Sequence, residues 1–219
     1  MRGFSGIMNA VDGAIMDDLS KEYIITFFDR TLSLHGDRPE AVRWTAQGQR
    51  SRYEALLDIG DLQGKKILDY GCGKGDFCGF LKEKGIKAAY TGCDINKNLI
   101  AAARRNHPSA DFRVFDIEEE DLAEDFDYIL LCGVFNLKVE GIEQTVKNVL
   151  ARLYPRCRIG LGLNALSSLN PKKEFELSYL DPGEMLRFAA GELSPFVALR
   201  QDRMPYDFML CVYREQQQR

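Results

Sequence analysis

The chain has 219 residues, a formal net charge of −4 and a hydrophobic content of 45%. That length suits one domain with a sizeable core plus a cap. The acidic balance argues against a broad nucleic-acid-binding field, although Arg104 and Arg105 form a local basic pair. No stretch reaches the roughly 18 apolar residues of a membrane span. Residues 1–18 mix glycine with acids and lack a signal-peptide core.

Two helical stretches are expected ahead of any strand, near residues 14–32 and 39–59, with residues 33–38 as the loop between them. The second holds the single tryptophan, Trp44, which reads as a core anchor on an amphipathic helix. A buried-strand pair, Ile67 and Leu68, then ends in Asp69, two residues before a Gly71-x-Gly73-x-Gly75 turn. A helix starts at Asp76 and runs through Phe77, Phe80 and Leu81. Gly71 and Gly73 allow a tight turn and leave room for a ligand against bare backbone. Where a dinucleotide fold carries its third glycine, this chain has Asp76, an anion that would repel a pyrophosphate. With Asp69 also nearby, the turn suits a ligand with a cationic centre.

The next strand, residues 88–93, ends in Asp94, about twenty residues beyond the turn, where a ribose-binding carboxylate belongs. One carboxylate can accept from both ribose hydroxyls. Asp94 equally suits the start of the helix carrying Leu99, Ile100 and Ala103. Strands are expected at 112–117, 127–132 and 158–163, with a helix over 141–153. Asp181 reads as the N-cap of a helix with Pro182 at its first position. The runs 196–200 and 208–213 read as a terminal hairpin. Six cysteines occur without a Cys-x-x-Cys pair, several inside strands, which points to reduced thiols and a cytoplasmic setting. With His35 and His107 as the two histidines, no histidine metal cluster and no metal are expected.

The acid-x-Gly-x-Gly-x-Gly stretch from Asp69 to Gly75 resembles motif I of the class I (Rossmann-like) S-adenosylmethionine-dependent methyltransferases. The resemblance covers residues 61–219. It implies an α/β fold: a doubly wound, mostly parallel seven-stranded sheet with an antiparallel C-terminal hairpin, behind an N-terminal helical cap or lid over residues 1–60. It implies S-adenosylmethionine as cofactor, with S-adenosylhomocysteine as product. The implied contacts are Asp69, Gly71, Cys72 and Gly73 at the turn, Asp94 and Ile95 at the ribose, Asp116 and Ile117 at the adenine, and Cys132 and Gly133 after the fourth strand. In related enzymes an arginine upstream of the glycines often binds the methionine carboxylate. Arg52 matches that position, with Arg43 and Arg50 as rivals and a solvated helix face as the other reading.

Tyr23, His35, Trp44, Phe135 and Asn136 are candidates to line the acceptor pocket. Each also has a plain reading as core, loop or surface residue. His35 is the base candidate on the cap, and no catalytic residue is assigned. The segment Gly133-Val134-Phe135-Asn136 departs from the Asn/Asp-Pro-Pro-aromatic box of many amide and exocyclic-nitrogen methylating enzymes. That departure argues against N6-adenine, N4-cytosine and glutamine acceptors. The expected activity is in-line methyl transfer to a small-molecule O or N acceptor, with neither nucleic acid nor membrane as partner. A methyltransferase acting on protein or RNA, and a non-catalytic S-adenosylmethionine-binding protein, are the alternatives.

Overall fold

A computed structural model describes residues 16–217. The start of the first expected helix, Ala14 and Ile15, lies outside the described residues. Seven strands build one sheet: β1 (Lys66–Tyr70), β2 (Ala89–Asp94), β3 (Asp111–Val114), β4 (Phe126–Cys132), β5 (Cys157–Leu166), β6 (Val197–Arg200) and β7 (Asp207–Tyr213). Their order is β3-β2-β1-β4-β5-β7-β6. All neighbours pair in parallel except β7, which is antiparallel to both β5 and β6. Strand order reverses between β2-β1 and β4, so a crevice opens at the carboxyl ends of β1 and β4.

Among the described residues, six α-helices flank the sheet or precede it: α1 (Asp18–His35), α2 (Ala46–Leu56), α3 (Asp76–Glu83), α4 (Lys97–Asn106), α5 (Ile142–Leu153) and α6 (Pro182–Phe188). The inner strands are continuous apolar runs because both faces are covered. On one face, Val146, Val149 and Leu150 of α5 meet Leu68, Ile129 and Leu163. On the other, Tyr53 and Leu56 of α2 and Phe77 and Phe80 of α3 pack over Ile67 and Leu130. The rings of Tyr53, Phe77 and Phe80 lie 5.1–6.0 Å apart.

The N-terminal region departs from the expected pattern in two places. α1 continues to His35, so the expected loop shrinks to Gly36–Arg38. The expected helix over 39–59 is broken: a 3-10 turn (Pro39–Val42) ends at Arg43, whose φ is +65°. Thr45 then supplies a new N-cap, its side chain accepting from Gly48 N at 3.1 Å, and α2 begins. α1 has no buried residue and is docked through polar contacts. Asn96 Nδ2 donates to Ile25 O (3.1 Å) and to Asp29 Oδ1 (2.9 Å), and Thr31 Oγ1 donates to Ala41 O (2.7 Å). At the other end of the chain, Asp181 caps α6 through Glu184 N at 2.8 Å, as its position before Pro182 predicts. Among the described residues no helix is long and apolar enough to cross a membrane.

Candidate cofactor and acceptor site

β1 delivers the chain to the glycine turn at the crevice. Gly71, Gly73 and Gly75 all have left-handed φ (+73°, +55° and +82°), which L side chains rarely adopt. Space is as decisive as φ at Gly71, where a Cβ would lie 2.5 Å from a methyl of Val134. The turn is pinned by hydrogen bonds to β2: Gly71 N and Cys72 N both donate to Cys93 O, at 2.7 and 2.9 Å. Gly73 N donates to Asp94 Oδ2 at 2.9 Å, and Asn96 N donates to Asp94 Oδ1 at the same distance. Burial raises the Asp94 pKa, and these two N–H donors pull it back. The carboxylate is thereby fixed in place on the cavity wall with lone pairs to spare. Asn96, not Asp94, caps α4, accepting from Asn98 N and Leu99 N.

A cavity opens over this turn. Its floor is Gly71, Cys72, Gly73, Asp94, Ile95, Cys132 and Gly133, with Asp76 at the first position of α3 and Asp116 after β3. Its upper walls are largely apolar: Ile24 and Phe28 from α1, Val42 and Trp44 from the broken segment, and Phe135, Leu137, Ile142 and Val149. Lys21 of α1 closes the Asp116 end. Its Nζ lies 2.6 Å from Asp116, 3.1 Å from Glu119 and 3.7 Å from Glu118. Although desolvation alone would lower it, the surrounding carboxylates leave the Lys21 pKa raised. Asp76 is gripped twice: Lys74 Nζ lies 2.5 Å from one oxygen and Gln49 Nε2 2.8 Å from the other. The same Lys74 ammonium donates to Asp37 O at 2.7 Å, tying the glycine turn to the segment after α1.

Residues 67–156 match the family model of a methyltransferase domain. A Mycobacterium tuberculosis protein provisionally described as a methyltransferase is 28% identical over 67% of this chain and 91% of its own length. The ubiquinone biosynthesis O-methyltransferase of Bradyrhizobium diazoefficiens is 33% identical over 71% of this chain, but the match spans only 60% of that enzyme. Among solved structures, magnesium protoporphyrin IX methyltransferase from Synechocystis superimposes with a TM-score of 0.64, covering 90% of this chain and 98% of that one at 15% identity. Residues 67–156 thus resemble a methyltransferase domain, and the chain around them has the fold of that solved methyltransferase. The Synechocystis structure holds S-adenosylhomocysteine.

The methyltransferase fold brings ten of the residues singled out from the sequence onto one cavity: Gly71, Cys72, Gly73, Asp94, Ile95, Asp116, Cys132, Gly133, Trp44 and Phe135. Six others lie off its wall. Asp69 is turned under the floor, 3% exposed, and accepts from the Tyr90 hydroxyl at 2.5 Å. Burial pushes its pKa up to about 7; the Tyr90 hydrogen bond opposes that, and Asp94 and Asp76 add to it. Arg52 corrects the carboxylate expectation. Its guanidinium grips Asp207 of β7 at 2.7 and 3.1 Å and stacks on the Trp44 ring, behind the cavity wall. Ile117 is 1% exposed and packs into the α5-side core. Tyr23 is on the outward side of α1, half exposed, in ring contact with Phe27. His35 sits on the last turn of α1, where Nδ1 meets Arg38 at 3.4 Å, away from the cavity lining. Asn136 lies beside Gly133 with its Oδ1 buried and unpaired.

Sequence reasoning did not single out Lys21, Val42, Glu118, Ile142, Thr145 or Val149 as wall residues. Thr145 and Val149 had a usable signal. They share one stripe of α5, whose first turn follows the carboxyl end of β4. Lys21 and Glu118 meet across 97 positions, and no local pattern announces such a pair.

Proposed function

We propose that this protein is an S-adenosylmethionine-dependent methyltransferase acting on a small acceptor with a largely apolar body, methylating an oxygen or nitrogen atom held over Cys132 and Gly133. One observation carries the reading: a single cavity joins the glycine turn and the fixed Asp94 carboxylate to a roof of apolar side chains from α1, Val42, Trp44 and α5. S-adenosylmethionine supplies a methyl group bound to a positively charged sulfur. In this reading Asp94 accepts hydrogen bonds from the ribose hydroxyls, and Asp116, which lines the same cavity, accepts from the adenine amino group. The bare backbone of Gly71 and Gly73 allows the methionine end to approach closely. Asp76, beside this turn, is an acceptor for a cationic group. The apolar roof excludes water and holds the acceptor in line, a task of placement that requires reacting atoms about 3–3.5 Å apart. Residues 16–59 serve as the cap that completes the roof.

The acidic chain and its similarity to a ubiquinone biosynthesis O-methyltransferase support a small acceptor over a macromolecular one. Calorimetric titration tests the cofactor half: S-adenosylhomocysteine is expected to bind and NAD is not. The acceptor half is tested by a screen of small phenols, carboxylic acids and amines with labelled cofactor. Labelling of protein or RNA alone would overturn the small-acceptor reading.

A further inference from the structure

The cavity over the glycine turn is unevenly charged. Asp76, Asp94, Asp116 and Glu118 line it, against one cation among the described residues, Lys21. The cations around the turn and the cap each have a carboxylate already. Lys21 lies against Asp116, Arg43 pairs with Glu174 and Glu176, Arg52 holds Asp207, and Lys74 holds Asp76. The backbone of the turn is committed in the same way. Gly71 N and Cys72 N donate to Cys93 O, Gly73 N donates to Asp94, and Gly75 N donates to Cys72 O. A carboxylate brought against this turn would have to take its partner from one of these pairs. An anion taken out of water beside like charges, without a partner, is costly.

An ammonium group meets the opposite situation. Asp76 opens α3 on the cavity wall, with its side chain 22% exposed. Lys74 Nζ and Gln49 Nε2 each take one of its oxygens, at 2.5 and 2.8 Å. An ionised carboxylate offers about four lone-pair positions, so acceptor capacity remains. Lys74 is itself buried and tied to Asp37 O, and Gln49 is buried on α2. The acid is therefore fixed in place before any ligand arrives.

We infer that the amino-acid end of the cofactor is recognised through its ammonium alone, an inference that rests on the S-adenosylmethionine reading. Asp76 sets this specificity by accepting from the amine. The α-carboxylate adds nothing to affinity, because the cations near it are held by acids of the chain. The matching ligand class is a 5′-thioadenosine carrying a primary amine, with or without a carboxylate.

Three nucleosides that differ at this end test it by calorimetry on the full chain. S-adenosylhomocysteine carries both ammonium and carboxylate, 5′-deoxy-5′-(3-aminopropylthio)adenosine carries the ammonium only, and 5′-methylthioadenosine carries neither. The aminopropyl compound is expected to bind at least as tightly as S-adenosylhomocysteine. Methylthioadenosine should bind about tenfold more weakly than either, the value of one charge-assisted hydrogen bond. In Asp76→Asn the gap between the aminopropyl compound and methylthioadenosine should shrink to about threefold or less, with methylthioadenosine affinity retained. The series on the parent chain decides the matter even if Asp76→Asn fails to fold. An aminopropyl compound bound clearly more weakly than S-adenosylhomocysteine would overturn the inference by revealing a partner for the carboxylate. Methylthioadenosine matching the aminopropyl compound in the parent, or a gap that survives in Asp76→Asn, would overturn it too. Binding of none of the three by the folded chain would instead strike the S-adenosylmethionine reading itself.

Discussion

Replacing Asp69 with asparagine should raise stability relative to the parent progressively as pH rises. The folded chain holds the Asp69 carboxyl under the glycine turn with a pKa near 7, chiefly because burial disfavours the ion, against an ordinary value of 3.8. The sign follows from proton binding. Between those two values the folded state keeps the proton and the unfolded chain has released it, so stability falls as pH rises through that window. Above the folded pKa both states are ionised and the loss is constant. Two of the three pKa units lie between about pH 5 and pH 7, at about 1.4 kcal/mol each, giving a ceiling of roughly 3 kcal/mol over that interval. Asparagine is neutral at both ends and its Oδ1 still accepts from the Tyr90 hydroxyl. Urea unfolding of the parent and Asp69→Asn, followed by circular dichroism near pH 5 and pH 8, should show the variant gaining about 2–3 kcal/mol on the parent between the two. A difference that does not change with pH, or one that shrinks as pH rises, would refute the assignment of a buried, readily protonated acid to this position.

Asp94→Ala should weaken S-adenosylhomocysteine about tenfold to a hundredfold in calorimetry, since a hydrogen bond to a charged group contributes about 1.5–3 kcal/mol. Unaltered affinity would mean that Asp94 serves only the turn and the start of α4. Lys74→Met should lower unfolding free energy by about 2 kcal/mol, because Asp37 O and Asp76 lose a shared buried donor. A loss within about 0.5 kcal/mol in chemical denaturation would show that the turn does not depend on this lysine. Gly133→Ala combines a φ of +65° with a 2.4 Å clash against Trp44, and is expected to cost about 1–3 kcal/mol and to change the tryptophan emission. Parent-like emission would place the indole elsewhere.

The sheet was legible from the chain because its evidence is local. Apolar runs such as 127–132 and the acid-glycine turn at 69–75 each carry their own signal, and strand alternation does the rest. The antiparallel last strand followed from two short apolar runs without a helix between them. The break at Arg43 was not legible, because a pattern of helical spacing continues through it. Only the competing cap at Thr45 and the left-handed Arg43 reveal the interruption. Arg52 illustrates the same limit at the site. Its spacing ahead of the glycines resembled that of a cofactor ligand, yet the side chain is claimed by Asp207, 155 positions away. Asp69 differs again: its position before the turn was read correctly, but strand alternation turned the carboxylate beneath the floor, towards Tyr90.

The place of β7 has a consequence for the order in which the chain can be built. Asp207–Tyr213 leaves the ribosome after the other described strands, yet it lies inside the sheet, between β5 and β6, with all seven residues buried. Until it arrives, β5 presents a long unpaired edge and β6 has no neighbour. The glycine turn, Asp94 and the β1-β2-β4 platform can assemble from sequence already synthesised. Arg52 cannot meet its carboxylate until the final strand slots in. The nascent chain therefore completes the glycine turn and its Asp94 anchor first, and the wall behind Trp44 only after β7 has closed the open edge of β5.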